Sequence, residues 1–247
     1  MSASGSVDRG ERLRGVRRVW LVFTAPRSLF ARVEDTAAYG GALVTLLGLV
    51  MLLGYAEVKT GLIDRDVDRR TESALKTLEE SQAHLIDRFE LRDRMEDLHQ
   101  AGEFSKLLAR LGVIVFAPTY VLGSILLIAS VLYAIVALTG RKPEYHTLMS
   151  LCVYAAFIDL VGYAVRLAMV VTYRTTAVEP SLAMLGDPHV PTPLVAANPF
   201  WIWSWVLIAM GLMVTRQLSR RMAVVSCVLM GLIAAGIRVA LEFAEIS

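Results

Sequence analysis

Four ionisable residues stand within or at the edge of long apolar runs of this 247-residue chain: Asp159, Arg166, Arg238 and Glu242. On membrane-insertion scales each costs at least about 2.5 kcal/mol at the centre of a bilayer unless it is paired or hydrated. Asp159 and Arg166 are seven residues apart and Arg238 and Glu242 are four apart, so each pair lies on one face of a helix. They indicate either an ion or proton path, or two ion pairs that fix helix packing, with Arg238 and Glu242 reaching the outer interface.

The remaining motifs do not indicate an enzyme or a metal site. The four histidines are scattered, and no His-Glu-x-x-His or Cys-x-x-Cys spacing occurs. Asp64, Asp66 and Asp68 resemble the opening of a calcium-binding loop, but Arg69 replaces its glycine and Leu75 its closing glutamate. The sequence has no phosphate-binding glycine-rich loop and no Gly-x-Ser-x-Gly elbow. We therefore expect a protein without catalytic residues, metal ions or cofactors.

The apolar runs that carry the charged residues are long enough to span a membrane. The chain is 55% hydrophobic with a mean hydropathy of +0.54, above the range usual for soluble domains. Residues 111–140 contain no Asp, Glu, Lys, Arg or His, and about 20 apolar residues suffice to cross a hydrocarbon core of about 30 Å. The pattern predicts an all-α integral membrane bundle of five transmembrane helices, at about 36–58, 111–139, 147–173, 199–215 and 222–243.

Residues 59–110, between the first two spans, have a different composition. They include twelve acids and ten bases, and apolar residues recur in steps of three, four or seven, which predicts amphipathic helices. One straight helix over residues 60–100 would end about 60 Å from the membrane, whereas the residues left before the next span extend at most about 40 Å. The segment must therefore fold back or lie along the membrane surface. We predict a helical hairpin outside the cytoplasm that reverses near residues 79–84.

Such a hairpin has to bury its apolar stripe. Packing the two helices together hides part of the stripe, and the remainder is expected to contact a second protein or the lipid surface. The candidate partner-binding residues are therefore apolar side chains along the segment, namely Leu75, Leu85, Phe89, Leu91 and Met95.

The first 35 residues are predicted to form a cytoplasmic disordered tail and a basic amphipathic arm. Residues 12–32 contain six arginines and no acid, interleaved with apolar residues, and Pro26 should divide the arm into two short helices. This mixture is typical of a helix in the headgroup region, and binding to nucleic acid is disfavoured because a span follows directly. Candidate membrane-surface residues of the arm and of the aromatic belt near residue 200 are Arg14, Arg17, Arg18, Trp20, Trp201 and Trp203.

Positive charge marks alternate connections between the predicted spans. The N-terminal arm, the turn with Arg141 and Lys142, and the turn over residues 216–221 are basic. Segment 59–110 and the proline-rich loop 174–198 both carry more acids than Lys and Arg residues. By the positive-inside rule, the N-terminus is predicted to be cytoplasmic and the C-terminus extracytoplasmic.

The order of these features is similar to that of a known family. A basic arm precedes the first span, a proline opens the second, Gly140-Arg141 closes it, and aromatic residues open the fourth span. The residues that carry the similarity are Trp20, Phe23, Pro26, Phe30, Pro118, Gly140, Arg141, Tyr145, Tyr154, Ala155, Trp201, Ile202 and Trp203. The chain resembles the Yip-domain family of five-span membrane proteins, named after eukaryotic members that bind Rab-type GTPases.

The resemblance implies a non-enzymatic membrane scaffold, and bacterial members are thought to assist ABC-type exporters. Segment 59–110 is much longer than the usual first connection of the family, which disfavours a trafficking role and favours an extracytoplasmic partner. The richness in alanine, valine and arginine indicates a bacterial inner-membrane protein. We expect an accessory subunit that binds other membrane proteins and no nucleic acid. The alternative is a small ion or solute transporter that uses Asp159 and Arg166.

Overall fold

The computed structural model describes residues 19–33, 39–82, 88–174, 178, 180–182 and 197–246, with side chains except at 81, 82, 88 and 241–246. All regular structure in these ranges is helical. A short helical segment covers residues 19–24. The helices that follow are α1 Pro26–Val33, α2 Gly40–Lys59, α3 Leu62–Gln82, α4 Arg88–Leu111, a π-helical turn Gly112–Phe116, α5 Ala117–Leu138, α6 Tyr145–Tyr173, α7 Pro199–Val214 and α8 Arg220–Ile246.

Four helices of the described chain are long and apolar enough to cross a membrane. They are α2, the continuous helix Phe89–Leu138 that joins α4 to α5, α6, and residues Arg220–Ala240 of α8. The protein is therefore an all-helical integral membrane protein. The predicted span 199–215 corresponds to α7, whose 16 residues rise only about 24 Å, less than a hydrocarbon core of about 30 Å.

Helix α6 is the centre of the bundle. The nine consecutive residues from Thr147 to Ala155 are all buried, so the cytoplasmic half predicted for this helix is covered by protein on every side. A helix that is apolar all round is typical of such a central position. Helices α1, α2, α5 and α7 all pack against α6. By contrast, α8 packs against α7 and leaves a broad apolar face uncovered, which suits contact with lipid.

The N-terminal arm is part of this core. As expected, its helices are separated at Ala25, directly before Pro26. However, Leu29 and Phe30 of α1 are fully buried among residues of α6 and α7, whereas the sequence indicated a helix lying in the headgroup region. The reason is that the arm has a second apolar face, which the bundle covers. Trp20 keeps the expected surface position with 66% of its area exposed, while Arg14, Arg17 and Arg18 lie outside the described residues.

The connection between α3 and α4 falls later than expected. The sequence predicted a reversal near residues 79–84, but α3 continues to Gln82. Its polar patch, Glu79 and Glu80, is compatible with an exposed helix because both side chains face solvent. The connection itself lies within residues 83–87, outside the described part of the chain.

Gly54 allows α2 to approach the π-helical turn. A Cβ atom at Gly54 would lie 2.5 Å from the carbonyl oxygen of Val113, a distance that real Cβ atoms do not show. The turn is followed by Pro118, which has no N–H to donate to the carbonyl of Ile114, and local widening of a helix is one way to accommodate this. The π-helical turn, where α4 passes into α5, therefore packs directly against α2.

We predict that Gly54→Val lowers stability by about 1–3 kcal/mol, because the added carbons overpack the contact with Val113. Gly48→Val is the matched control, since a Cβ at Gly48 of the same helix meets nothing within 4 Å. The measurement is thermal unfolding of the two purified variants in detergent. Equal melting temperatures for both would contradict this close approach.

Candidate functional site

A partly buried cluster of three polar side chains joins the C-terminal end of α2 to the C-terminal half of α6. Glu57 of α2 is only 4% exposed. Arg166 donates through Nη1 to Glu57 Oε1 at 3.0 Å, and the Tyr163 hydroxyl donates to Glu57 Oε2 at 2.6 Å. Both carboxylate oxygens therefore have donors, which is the condition for keeping a charge away from water at acceptable cost.

Glu57 was not among the site residues predicted from the sequence. The sequence put Glu57 at the end of the first span and indicated Asp159 as the partner of Arg166, whereas in the structure Arg166 contacts the Glu57 carboxylate. The signal was present in the spacing. Leu46, Val50, Gly54 and Glu57 follow one another in steps of four, four and three, and they are the buried face of α2. Glu57 continues that face and therefore points into the bundle.

Asp159 lines a small cavity between α5, α6 and α7. The cavity has a volume of about 60 Å³, with Ser124, Ser204 and Trp201 among its walls. The Ser124 hydroxyl donates to the Val121 carbonyl, and the Ser204 hydroxyl to the Trp201 carbonyl, both at 2.8 Å. The other walls are mostly apolar, and the indole N–H groups of Trp201 and Trp205 are further donors among them. The cavity is roomy enough for water molecules, which would supply donors to Asp159.

Arg238 approaches the same region from α8. Its guanidinium carbon lies 5.9 Å from the centre of the Trp201 ring, a cation–π distance. Trp201 also lines the cavity beside Asp159, so Arg238 and Asp159 both lie near this ring, a neighbourhood that the sequence did not predict. The side chain of Glu242, the partner expected for Arg238, lies outside the described side chains. Trp201 is half-buried by these contacts, and Trp203 is exposed on the opposite face of α7.

Helices α3 and α4 lie side by side and antiparallel. Asp64 accepts two hydrogen bonds from Arg110 at 2.9 and 2.7 Å, and Lys106 contacts Asp68 at 2.6 Å. One turn further along, a Cβ at Gly102 would lie 2.8 Å from the Thr71 hydroxyl oxygen. Residue numbers rise along one helix as they fall along the other, so the ends that connect to α2 and α5 are both at the membrane.

The two contacts between α3 and α4, Asp64 with Arg110 and Asp68 with Lys106, persist over a wide pH range. The hydrogen bonds from Arg110 hold the pKa of Asp64 below its ordinary value, and two carboxylates raise the pKa of Lys106 to about 12. A carboxyl group with a lowered pKa contributes to the free energy of unfolding, and this contribution is lost only as the pH falls through that pKa. A raised lysine pKa gives one that is complete below the unfolded pKa and lost only as the pH rises towards 12. Both groups therefore stay charged at every physiological pH.

The predicted partner-binding residues occupy different positions on this pair. Leu75 lies on the same face of α3 as Thr71, and Leu91 and Met95 lie on the same face of α4 as Gly102, so all three are half-buried where the helices meet. Phe89, near the far end of α4, is 78% exposed. Leu85 lies outside the described residues. Within the described chain, no three His, Cys, Asp or Glu side chains come close enough together to hold a metal ion.

We predict that Arg166→Ala destabilises the protein by about 2 kcal/mol, below the ~3–5 kcal/mol of a fully buried pair because Arg166 is 28% exposed. The loss arises because Glu57 keeps only the Tyr163 hydroxyl as a donor. Asp159→Asn should cost less, since asparagine is neutral and can still form hydrogen bonds. Thermal unfolding in detergent measures both effects. Adding Glu57→Gln to Arg166→Ala should recover stability, and a further loss in the double variant would contradict the proposed pairing.

The comparisons with known proteins bear on the chain as a whole. The family model for the Yip1 domain matches residues 20–240, which include the arm, the paired helices α3 and α4, and nearly all of the membrane bundle. No curated protein and no solved structure matches the sequence. Because the family model covers far more than half of the sequence, the chain belongs to the Yip1 domain family.

Proposed function

We propose that this Yip1-domain protein is a non-catalytic scaffold or accessory subunit, which holds another membrane protein through α3 and α4. The proposal places the N-terminus in the cytoplasm of a bacterium, five spans in the inner membrane, and the α3–α4 hairpin outside the cytoplasm. An ABC-type exporter is the partner that the family resemblance suggests.

The observation that carries this proposal is the continuity of α4 and α5. Phe89–Leu138 is one helix of 50 residues, so helical structure continues from the extramembrane part through the π-helical turn into the membrane span. The 23 residues 88–110 extend it about 34 Å beyond the span. A helix that projects so far gains no stability from the bundle along most of its length. A binding role accounts for that extension.

Three sets of contacts fix the membrane-proximal end of the α3–α4 pair, which we call its base. Gly54 packs on Val113, Glu57 is held by Arg166 and Tyr163, and Asp64 is held by Arg110. Above this base, the half-buried stripe between α3 and α4 keeps the helices together, while Phe89 stands exposed near the tip. An exposed aromatic residue on a rigid support is typical of a protein-binding anchor. We propose that Phe89 contacts the partner.

The orientation is supported by a contact between two basic turns. Arg141, in the turn between α5 and α6, donates through Nη1 to the backbone carbonyl of Arg216, in the turn between α7 and α8. These connections are therefore at the same end of the bundle, as alternate connections of a five-span protein must be. In this proposal α7 crosses the membrane with the help of the residues that flank it. By the positive-inside rule, the two basic turns are then expected in the cytoplasm.

We predict that a fluorescent reporter active only in the cytoplasm works when fused before Met1 and fails when fused after Ser247, because five spans put the termini on opposite sides. The control is the amount of each fusion protein found after cell fractionation. Cytoplasmic activity of the C-terminal fusion at normal expression would rule out the five-span orientation.

A second candidate function is transport of a small ion or solute past Asp159. The cavity of about 60 Å³ beside this carboxylate favours it, because a space large enough for water next to an ionisable residue of a membrane helix is what such a path requires. The scaffold proposal remains our first choice because it accounts for the projecting helices, which a path through the bundle does not use.

We predict that removing residues 72–101 and joining Thr71 to Gly102 through a short Gly/Ser linker abolishes partner binding but leaves the spans inserted. The two ends already touch, and the contacts Asp64–Arg110 and Asp68–Lys106 are retained, so the base can still close. The measurements are co-purification in mild detergent followed by mass spectrometry, and complementation of a deletion strain.

The matched control replaces residues 83–87 with an equally long Gly/Ser segment, which keeps both helices and should keep the partner. Asp159→Asn separates the two functions: it should leave a scaffold active and inactivate a transporter. Full complementation by the shortened protein would refute the scaffold, and loss of function in a folded Asp159→Asn variant would favour transport.

A further inference from the structure

Exposed cationic side chains from three separate segments meet at one end of the bundle. They are Arg27 of α1, Arg141 and Lys142 of the α5–α6 turn, and Arg216, Arg220 and Arg221 at the α7–α8 turn. Three contacts bring the segments together. Arg141 donates to the carbonyl of Arg216, the rings of Tyr39 and His146 lie 6.1 Å apart at the starts of α2 and α6, and α1 packs on α6 and α7.

Little negative charge within the described chain balances this surface. In residues 19–33, 139–147 and 215–221 the acidic residue is Glu144, and one of its carboxylate oxygens already accepts a hydrogen bond from the Thr147 hydroxyl at 3.0 Å. These ranges hold seven Lys and Arg residues, the six above and Arg32, and they outnumber Glu144 even together with Glu34 and Asp35, which follow α1 in the sequence. The excess cations repel one another. The surface is therefore complementary to an anion of more than one charge or to several anions.

Two details of the backbone show that some of these cations occupy locally unfavourable positions. Arg220 and Arg221 stand in the first turn of α8, where the helix dipole disfavours cations and where acids are usually found. Arg216 has a φ of +53°, an uncommon conformation for a residue other than glycine, and its carbonyl is held by Arg141. The chain thus concentrates positive charge here against local preference, which external anions would compensate.

We infer that this end of the protein binds the phosphate-bearing headgroups of anionic phospholipids. The position favours a lipid over a free anion, because the cations lie at the ends of membrane-crossing helices. In the helical segment directly before α1, Trp20 and Phe23 are exposed, and such side chains are suited to the boundary between headgroups and acyl chains. Positive groups near a membrane surface attract anionic lipid with a strength that falls as salt rises. The inference is independent of the scaffold proposal.

The test uses the full-length protein purified in detergent and mixed with phosphatidylglycerol or phosphatidylcholine, with lipid binding followed by native mass spectrometry and by the melting temperature. Phosphatidylglycerol should bind and raise the melting temperature, and the effect should weaken between 50 and 500 mM NaCl. In Arg220→Gln/Arg221→Gln, affinity should fall about fivefold per arginine, roughly 25-fold in all. Arg220→Lys/Arg221→Lys keeps the charges and should retain most of the affinity.

The matched control is Arg69→Gln/Arg70→Gln, an adjacent exposed pair on α3 with the same change in charge, which should bind like the wild type. Equal binding of phosphatidylcholine, or an equal loss in the α3 control, would overturn the inference. A rise in melting temperature with inorganic phosphate as large as that with phosphatidylglycerol would identify a free-anion site and would also overturn it. If the glutamine variant does not fold, the wild-type salt dependence and the lysine variant decide the question.

Discussion

The bundle depends on the burial of α6. Nine consecutive residues of its first half are enclosed, and this is possible only because neighbouring elements approach from every side. Leu151 packs closely on α7, where a Cβ at Gly211 would lie 2.5 Å from one of its methyl carbons, and Phe30 fills the side towards α1. Within lipid, apolar burial alone gives little reason for helices to associate, so close packing of this kind has to supply the association. The α1 helix takes part in this packing although it does not cross the membrane.

The C-terminal half of α6 carries polar residues in place of the buried apolar ones. Beyond Ile158 the helix carries Asp159, Tyr163 and Arg166, and α2 brings Glu57 into contact with the last two. Helix α7 begins only at Pro199, near the level of Gly162, where a Cβ would lie 2.9 Å from Phe200. Because α7 is short, this half has fewer covering helices, and polar groups there are closer to water. The N-terminal half of α6 is thus tightly packed, and its C-terminal half carries the polar contacts.

Local pattern was sufficient for much of this architecture. The charge-free runs indicated the membrane helices, the stepwise apolar residues of 59–110 indicated two amphipathic helices, and Pro26 indicated the break in the arm. Pattern was insufficient where a residue is positioned by a distant part of the chain. Glu57 receives its partners from residues 106 and 109 positions away, and the burial of Phe30 depends on α6 and α7. A helical stripe tells which face is buried, but only packing tells what the face meets.

The continuous helix from α4 into α5 also works as a lever. A membrane span that is longer than the local hydrocarbon thickness tilts to fit, and its 28 residues from Leu111 to Leu138 are longer than a core of about 30 Å requires. Because the helix continues through the π-helical turn at the membrane surface, a tilt of the span also tilts the extramembrane part of α4. Over the extramembrane length of about 34 Å, a change of about 10° in tilt displaces the tip of α4 by roughly 6 Å. A thinner or thicker bilayer would therefore move Phe89 by more than the width of a side chain, so membrane thickness itself can set where a partner is met.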